Sequence, residues 1–244
     1  MKDKWSDESP PDLSNVSEET QSKLASLVPC YAELINTSKL NVIQSLVSSM
    51  LVQDIFSAYF CGLRADRTSQ FQRMEEYFAT IGPPESVNQW RSLTLTIVRH
   101  GHDSNLQSTA VTLVDALLNR INGLLSALTA TAVEDTARSR GLRAILEQAV
   151  DLARLFRVQR AQFTVEMLHT GTFLDSSDDD DDESRPKILF DSQTMDEISG
   201  EDVDEERRPI RCVIFPGVWK TGDEQGANVS TPVSLQVSSH VVHL

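Results

Sequence analysis

Residues 98–103, Val98-Arg99-His100-Gly101-His102-Asp103, gather two imidazoles, a guanidinium and a carboxylate into six positions. An imidazole can attack phosphorus and carry a phosphoryl group, provided that nearby cations neutralise the oxygens arriving with it. His100 is the candidate nucleophile for such a step, and Arg99 would form part of its anion pocket. Other residue groups spell out less. Cys30, Cys61 and Cys212 lie far apart, with no Cys-x-x-Cys pair and no histidine at ligand spacing, so the sequence implies neither a disulfide framework nor a metal site. In Gly217-Val218-Trp219-Lys220-Thr221-Gly222-Asp223-Glu224-Gln225-Gly226 the lysine precedes Gly222 and no helix follows. That is loop chemistry, not a phosphate cradle, and no cofactor is expected.

Ile97-Val98-Arg99-His100-Gly101 resembles the signature of the histidine phosphatase and phosphoglycerate mutase superfamily. Leu93-Thr94-Leu95-Thr96-Ile97 alternates like the strand that leads into it. The resemblance implies a phosphomonoesterase with His100 as nucleophile, Arg99 at the phosphoryl oxygens and His169 as the second histidine. Its departures are specific. His102 stands where that family has Glu or Gln, Thr170 separates His169 from Gly171, and residues 104–169 read as two long helices where that fold alternates strands and helices. The competing reading makes 85–99 a helix with Pro84 at its first position and Gly101 as its terminator. It would bury Val87, Trp90, Leu93 or Thr94, and Ile97 or Val98, leaving His100 against the carbonyl dipoles of the helix end. We adopt the helix and keep the phosphomonoesterase as the alternative.

The elements around this stretch are mostly helical by period. Leu24, Leu27, Val28, Tyr31, Leu34 and Ile35 keep helical spacing through Pro29, which calls for a kinked helix or two short ones end to end, capped by Ser17. Residues 39–61 are apolar on more than one face, as in the central helix of a bundle, and Gly62 can end them. A helix over 67–80 presents Phe71, Met74, Tyr77, Phe78 and Ile81 as its core positions, and Gly82-Pro83-Pro84 stops it. Residues 104–132 carry Leu106, Ala110, Leu113, Leu117, Ile121, Leu124 and Leu128 on one face. The last helix, 134–169, carries Leu142, Ile145, Ala149, Leu152, Phe156, Phe163 and Met167. Its other side sets Arg140, Arg143, Arg154 and Arg157 beside Glu147 and Asp151, which reads as a solvated ion-pair face.

Beyond residue 206 the period becomes two. Residues 210–215 and 233–237 read as strands joined through the TGDEQGAN loop, with Pro216-Gly217 bending the first. Two strands alone are barely stable, so the hairpin must lean on the helices or recruit another strand, for which Ile188-Leu189-Phe190 is a candidate.

Charge divides the chain further. Residues 171–206 hold fifteen acids against Arg185 and Lys187, a net of -13, whereas 17–170 hold fifteen acids and fourteen bases, a net of -1. An acidic arm on a nearly neutral body repels nucleic acid and attracts basic proteins. The run from Asp175 to Glu183 lacks the glycine and the terminal acid of an EF-hand loop. Ser176 and Ser177 each precede an acid by three residues and are candidate phosphorylation sites. Ile188, Leu189 and Phe190, and the stretch from Met195 to Val203, have the composition of short interaction motifs. The N-terminal residues lack the apolar core of a signal peptide, and the apolar stretch 42–63 is broken by Gln44, Gln53 and Asp54, so neither export nor a membrane span is expected.

Residues 89–94, Gln89-Trp90-Arg91-Ser92-Leu93-Thr94, and residues 213–226 are similar to segments of intracellular proteins of filamentous fungi that have no assigned activity. Those proteins look mostly helical with a short β-like tail, and the resemblance brings no site residues. The expected architecture is mainly α: a disordered lead-in (1–16), a bundle of about six helices (17–170), an acidic disordered linker (171–206) and a β-hairpin tail packing on the helices (207–244). The expected function is a non-catalytic interaction or regulatory role in the cytoplasm or nucleus, with the arm as contact element and a protein partner, basic in character. Oligomeric state stays open.

Overall fold

A computed structural model describes residues 17–29, 31–101, 104–128, 135–167, 190–191, 195–197, 210–229, 232–234 and 239–243. The chain is mainly α, with small sheets formed late in the sequence. Ser17 opens α1 (Glu18–Leu27) by accepting from the Thr20 N–H at 3.3 Å, and Glu18 and Glu19 bring negative charge to the exposed N–H groups. α2 (Tyr31–Leu34) follows Pro29, so two short helices lie end to end. α3 (Lys39–Leu51) runs into a π-helical turn, Val52–Phe56. α4 (Ala65–Ile81) and α5 (Pro84–His100) form a hairpin across Gly82-Pro83, with Pro84 at the first position of α5. α6 (Ser104–Leu128) and α7 (Asp135–Val158) are the long helices.

One apolar cluster unites α1, α3, α6 and α7, with Leu24, Leu46, Met50, Ile55, Ile121, Leu128 and Leu146 at its centre. Each such side chain contributes about 1.5–3 kcal/mol when fully buried. Asn105–Leu128 is long and apolar enough to cross a membrane by length and composition alone; in this fold Leu117, Ile121, Leu124 and Leu128 lie in the core.

Four sequence expectations need correction. First, the helix expected to run to 169 stops at Val158, and β1 (Gln162–Glu166) follows. Phe163 and Met167 fit the helical period only because Phe163, Val165 and Met167 also alternate. Second, α7 buries Leu142 and Ala149 as expected, but the rest of its inward face is shifted. Leu146, Val150 and Ala153 are buried whereas Ile145 and Leu152 are exposed. Third, Met74, Tyr77 and Ile81 of α4 are exposed, leaving Phe71 and Phe78 half-buried. Fourth, of the residues expected inside α5, Val87 is buried, Trp90, Thr94 and Val98 are half-buried, and Leu93 and Ile97 face outward, while Asn88, Arg91 and Leu95 are buried as well.

The remaining strands are β2 (Met195–Glu197), β3 (Ile210–Val213), β4 (Gly217–Thr221), β5 (Pro232–Ser234) and β6 (Ser239–His243). An antiparallel hairpin does span the TGDEQGAN loop, between β4 and β5. The stretch expected as the hairpin's first strand, 210–215, holds β3 alone, which joins the other sheet, and the hairpin's first strand is β4, beyond Pro216. One sheet has the order β1-β4-β5, with β1 antiparallel to β4 from Gln162↔Thr221 to Glu166↔Gly217. The other has the order β2-β6-β3, with β2 parallel and β3 antiparallel to β6. The recruited strands are therefore β1, β2 and β6, and Phe190 lies outside them.

Gly62 marks where the end of the first helical layer meets α6 and α7. Its φ is 83°, and a Cβ there would lie 2.7 Å from Arg154 Nη2 and 2.8 Å from the Leu106 carbonyl oxygen. Gly62→Ala is expected to destabilise the chain by about 1–3 kcal/mol, read as a lower urea midpoint.

Candidate functional site

The most connected group of polar side chains lies between α4, α5 and the end of α7. Arg91 is 1% exposed. Its Nη2 donates to the carbonyls of Gln159 (3.0 Å), Arg160 (3.0 Å) and Ala161 (3.4 Å), and Ser92 Oγ donates to the Val158 carbonyl. The last turn of any helix leaves carbonyls without N–H partners. Ser92 satisfies one of them, at Val158, and Arg91 takes up the carbonyls of the turn that follows, so α7 can end inside the molecule and its chain can turn into β1.

Arg91 Nη1 also donates to Asn88 Oδ1 at 2.8 Å and to Glu75 Oε1 at 3.4 Å. Asn88 Oδ1 receives a second bond, from Gln162 Nε2 at 3.0 Å, while Asn88 Nδ2 donates to the Gly226 carbonyl at 2.8 Å. Gly226 adopts φ 82°, and a Cβ on it would come within 2.8 Å of the Asn88 Cβ. The β4–β5 loop is thus seated directly on α5. Within the loop, Asp223 Oδ1 accepts from the Gln225 and Ala227 N–H groups, and Oδ2 accepts from Asn228 Nδ2. The Ala227 N–H, foremost among these bonds, holds the Asp223 carboxyl below the usual carboxylate range.

Glu75 serves three partners. Tyr59 donates its hydroxyl to Oε2 at 2.7 Å, and Arg157 approaches the same oxygen at 3.6 Å with its guanidinium 4.5 Å from the Tyr59 ring centroid. Burial, and then this carboxylate, push the Tyr59 phenol above its ordinary range. Burial likewise pulls Arg91 below the usual guanidinium range, with repulsion from Arg157 adding to it and attraction from Glu75 opposing it.

The arginine face expected on α7 divides. Arg140 is exposed and Arg143 pairs with Asp115 at 2.6 Å. Arg154 is instead buried, donating to the Cys61 carbonyl at 2.9 Å, and Arg157 donates to the Tyr59 carbonyl at 2.8 Å. Two of the four arginines therefore point inward, where loop carbonyls take up their donors. Burial pushes the Cys61 thiol up to about 11, which keeps it protonated and unreactive near neutral pH.

Residues 84–100 are helical, so no strand leads into Arg99-His100-Gly101. His100 is exposed at the last position of α5, with Nδ1 3.0 Å from the Thr96 carbonyl oxygen. Gly101 ends the helix as expected, in extended rather than left-handed backbone. His102 and His169 lie outside the described residues, as do Ser176, Ser177, Ile188 and Leu189. Phe190 is half-buried and packs with Val52 and Ile210 against Met167, Met195 and Val213. Among the described residues, no three His, Cys, Asp or Glu side chains are grouped to hold a metal ion.

Asn88 and Arg91 were missed as site residues because polar residues in phase with Val87 and Leu95 read as surface. One signal was available: they keep the same i, i+3, i+4, i+7 spacing as their apolar neighbours. The geometry itself is a cross-link. Its carboxylate, amide and guanidinium are committed to one another and to main-chain carbonyls.

No family model matches the chain, and no solved structure matches it. Among curated proteins it is similar to Leashin of Aspergillus fumigatus, at 24% identity over 197 residues. That match covers 76% of this chain and 3% of the length of Leashin.

Removing the Arg91 guanidinium strips the turn carbonyls of residues 159–161 of their donor and leaves Glu75 with Tyr59 and Arg157 alone. Arg91→Met is expected to cost about 3–5 kcal/mol in a denaturant titration. Because Asp223 is depressed in the folded chain, its contribution is present above its unfolded-state titration and is lost as pH falls through the depressed value. An NMR pH titration is expected to show Asp223 titrating below a reference peptide, with the Ala227 amide shift following it.

Proposed function

We propose that this chain is a non-catalytic interaction or regulatory protein inside a fungal cell, presenting its acidic segment to a basic protein partner. One observation carries the reading. The acidic run from Asp175 to Glu183 falls between Met167 and Phe190, and both of these pack in the same small apolar cluster with Met195 and Val213. The carboxylates therefore sit on a segment tethered to the body at both ends. Holding both ends in place lowers the ordering cost of binding. A net of -13 over residues 171–206, beside a body of -1, favours cationic partners and speeds their approach at low ionic strength. Similarity to a stretch of a filamentous-fungal protein supports the fungal setting.

On this reading, Ser176 and Ser177 act as charge-tuning sites, since phosphate there adds to a field that is already negative. Nucleic acid is disfavoured as a partner by the same field. The phosphomonoesterase alternative loses its footing with the helix at 84–100, because His100 lies on an exposed helix end with its ring turned to its own backbone.

The test compares proteins captured by the full chain with those captured after deletion of 175–183, which spares Phe190 and Met195. Loss of a salt-sensitive set of basic partners is the expected result. Identical capture by both chains contradicts the proposal. Mass spectrometry of the native protein is expected to find phosphate on Ser176 or Ser177.

A further inference from the structure

A separate surface, on the opposite kind of chemistry, lies on the α4–α5 hairpin. Tyr77 and Ile81 of α4 are 61% and 64% exposed, Leu93 and Ile97 of α5 are 56% and 73% exposed, and Met74 is exposed beside them. This follows from the polar cross-link. Asn88 and Arg91 occupy the inward face of α5, so its remaining apolar stripe is turned out.

The two stripes belong to one strip. Phe78 and Trp90 meet edge to face at 5.1 Å and mark the seam between the helices. At about 100° per residue, Met74, Ile81 and Tyr77 follow Phe78 on the side away from Glu75, while Ile97 and Leu93 follow Trp90 on the side away from Arg91. Glu75 and Arg91 both face the body. In an antiparallel pair these two turns go to the same outer side of the seam.

We infer that this strip is a self-association surface, and that its occupant is the same α4–α5 hairpin of a second copy, packed as a two-fold four-helix layer. Size and charge both favour that occupant. The five side chains expose on the order of 600 Å², at the upper end for a monomer surface and approaching the roughly 800 Å² per partner of a stable interface. Two hairpins related by a two-fold axis supply identical, self-complementary ridges. Residues 64–100 hold five arginines and four acids, a net of +1 in a chain of -14, so copies meet there with the least like-charge repulsion. Exposed Arg67 and His100 lie at the open end of the hairpin and exposed Glu76 and Glu85 toward its turn, so an antiparallel partner sets unlike ends together.

Sedimentation velocity on the full chain over a concentration series is the test. A monomer–dimer equilibrium in roughly the micromolar range is expected. Leu93→Glu with Ile97→Glu is expected to weaken it by about a hundredfold or more, with an unchanged far-UV circular dichroism spectrum. Leu40→Glu, at an exposed leucine outside the hairpin, is expected to leave the dimer intact. A dimer that survives the double substitution overturns the proposal. So does a wild-type chain that remains monomeric throughout, including the case where deletion of 175–183 then allows dimers, which would make the acidic segment the occupant. Partner capture through 175–183 is read separately, so either proposal can fail alone.

Discussion

A buried guanidinium decides how this chain is put together. Arg91 takes the carbonyls of the turn that follows α7, binds Asn88 and reaches Glu75, so one side chain joins α4, α5, the turn into β1 and, through Asn88, the loop after β4. Burying a cation costs several kcal/mol, and that cost is offset here through Nη1 and Nη2, while Nε has no hydrogen-bond partner among the described residues. The matching here comes from segments far apart in sequence: Asn88 and Gly226 are 138 residues apart. The β1-β4-β5 sheet is therefore held on the helices by directional bonds as well as by apolar contact.

The same choice explains the outside of the molecule. Because α5 spends its inward positions on Asn88 and Arg91, Leu93 and Ile97 are displaced to the surface, where α4 adds Tyr77 and Ile81. A nearly neutral body then carries an apolar strip on one hairpin. Elsewhere Met167 and Phe190, which flank the acidic run 175–183 in sequence, pack in one small cluster with Met195 and Val213.

The helices were legible because period and punctuation agreed: Ser17 as cap, Pro29 as break, Gly82-Pro83-Pro84 as turn, and the leucines of α6 at three-and-four spacing. The hairpin across TGDEQGAN was legible for the same reason. Faces were less so. On α5 Val87, Trp90, Leu93 or Thr94, and Ile97 or Val98 were expected inside, and the structure adds Asn88 and Arg91, since a hydrophobic pattern cannot register a buried polar group whose partners lie over sixty residues away. The end of α7 failed for a related reason. Phe163 and Met167 satisfy periods of both 3.6 and 2, and what selects the strand is pairing with β4 together with carbonyl capping by Arg91. Arg154 and Arg157 looked like a solvated face because the carbonyls they reach, at Cys61 and Tyr59, belong to a turn more than ninety residues earlier.

Joined by the Arg91 cross-link, the β1-β4-β5 sheet and the α5–α7 helices are expected to open as one unit. Native-state hydrogen exchange tests this directly. The amides of Phe163 and Val165 in β1, and of Trp219 in β4, are expected to exchange with the same opening free energy as those at the middle of α5 and α7. Sheet amides that exchange through a separate opening of much lower free energy, while α5 and α7 stay protected, would contradict it.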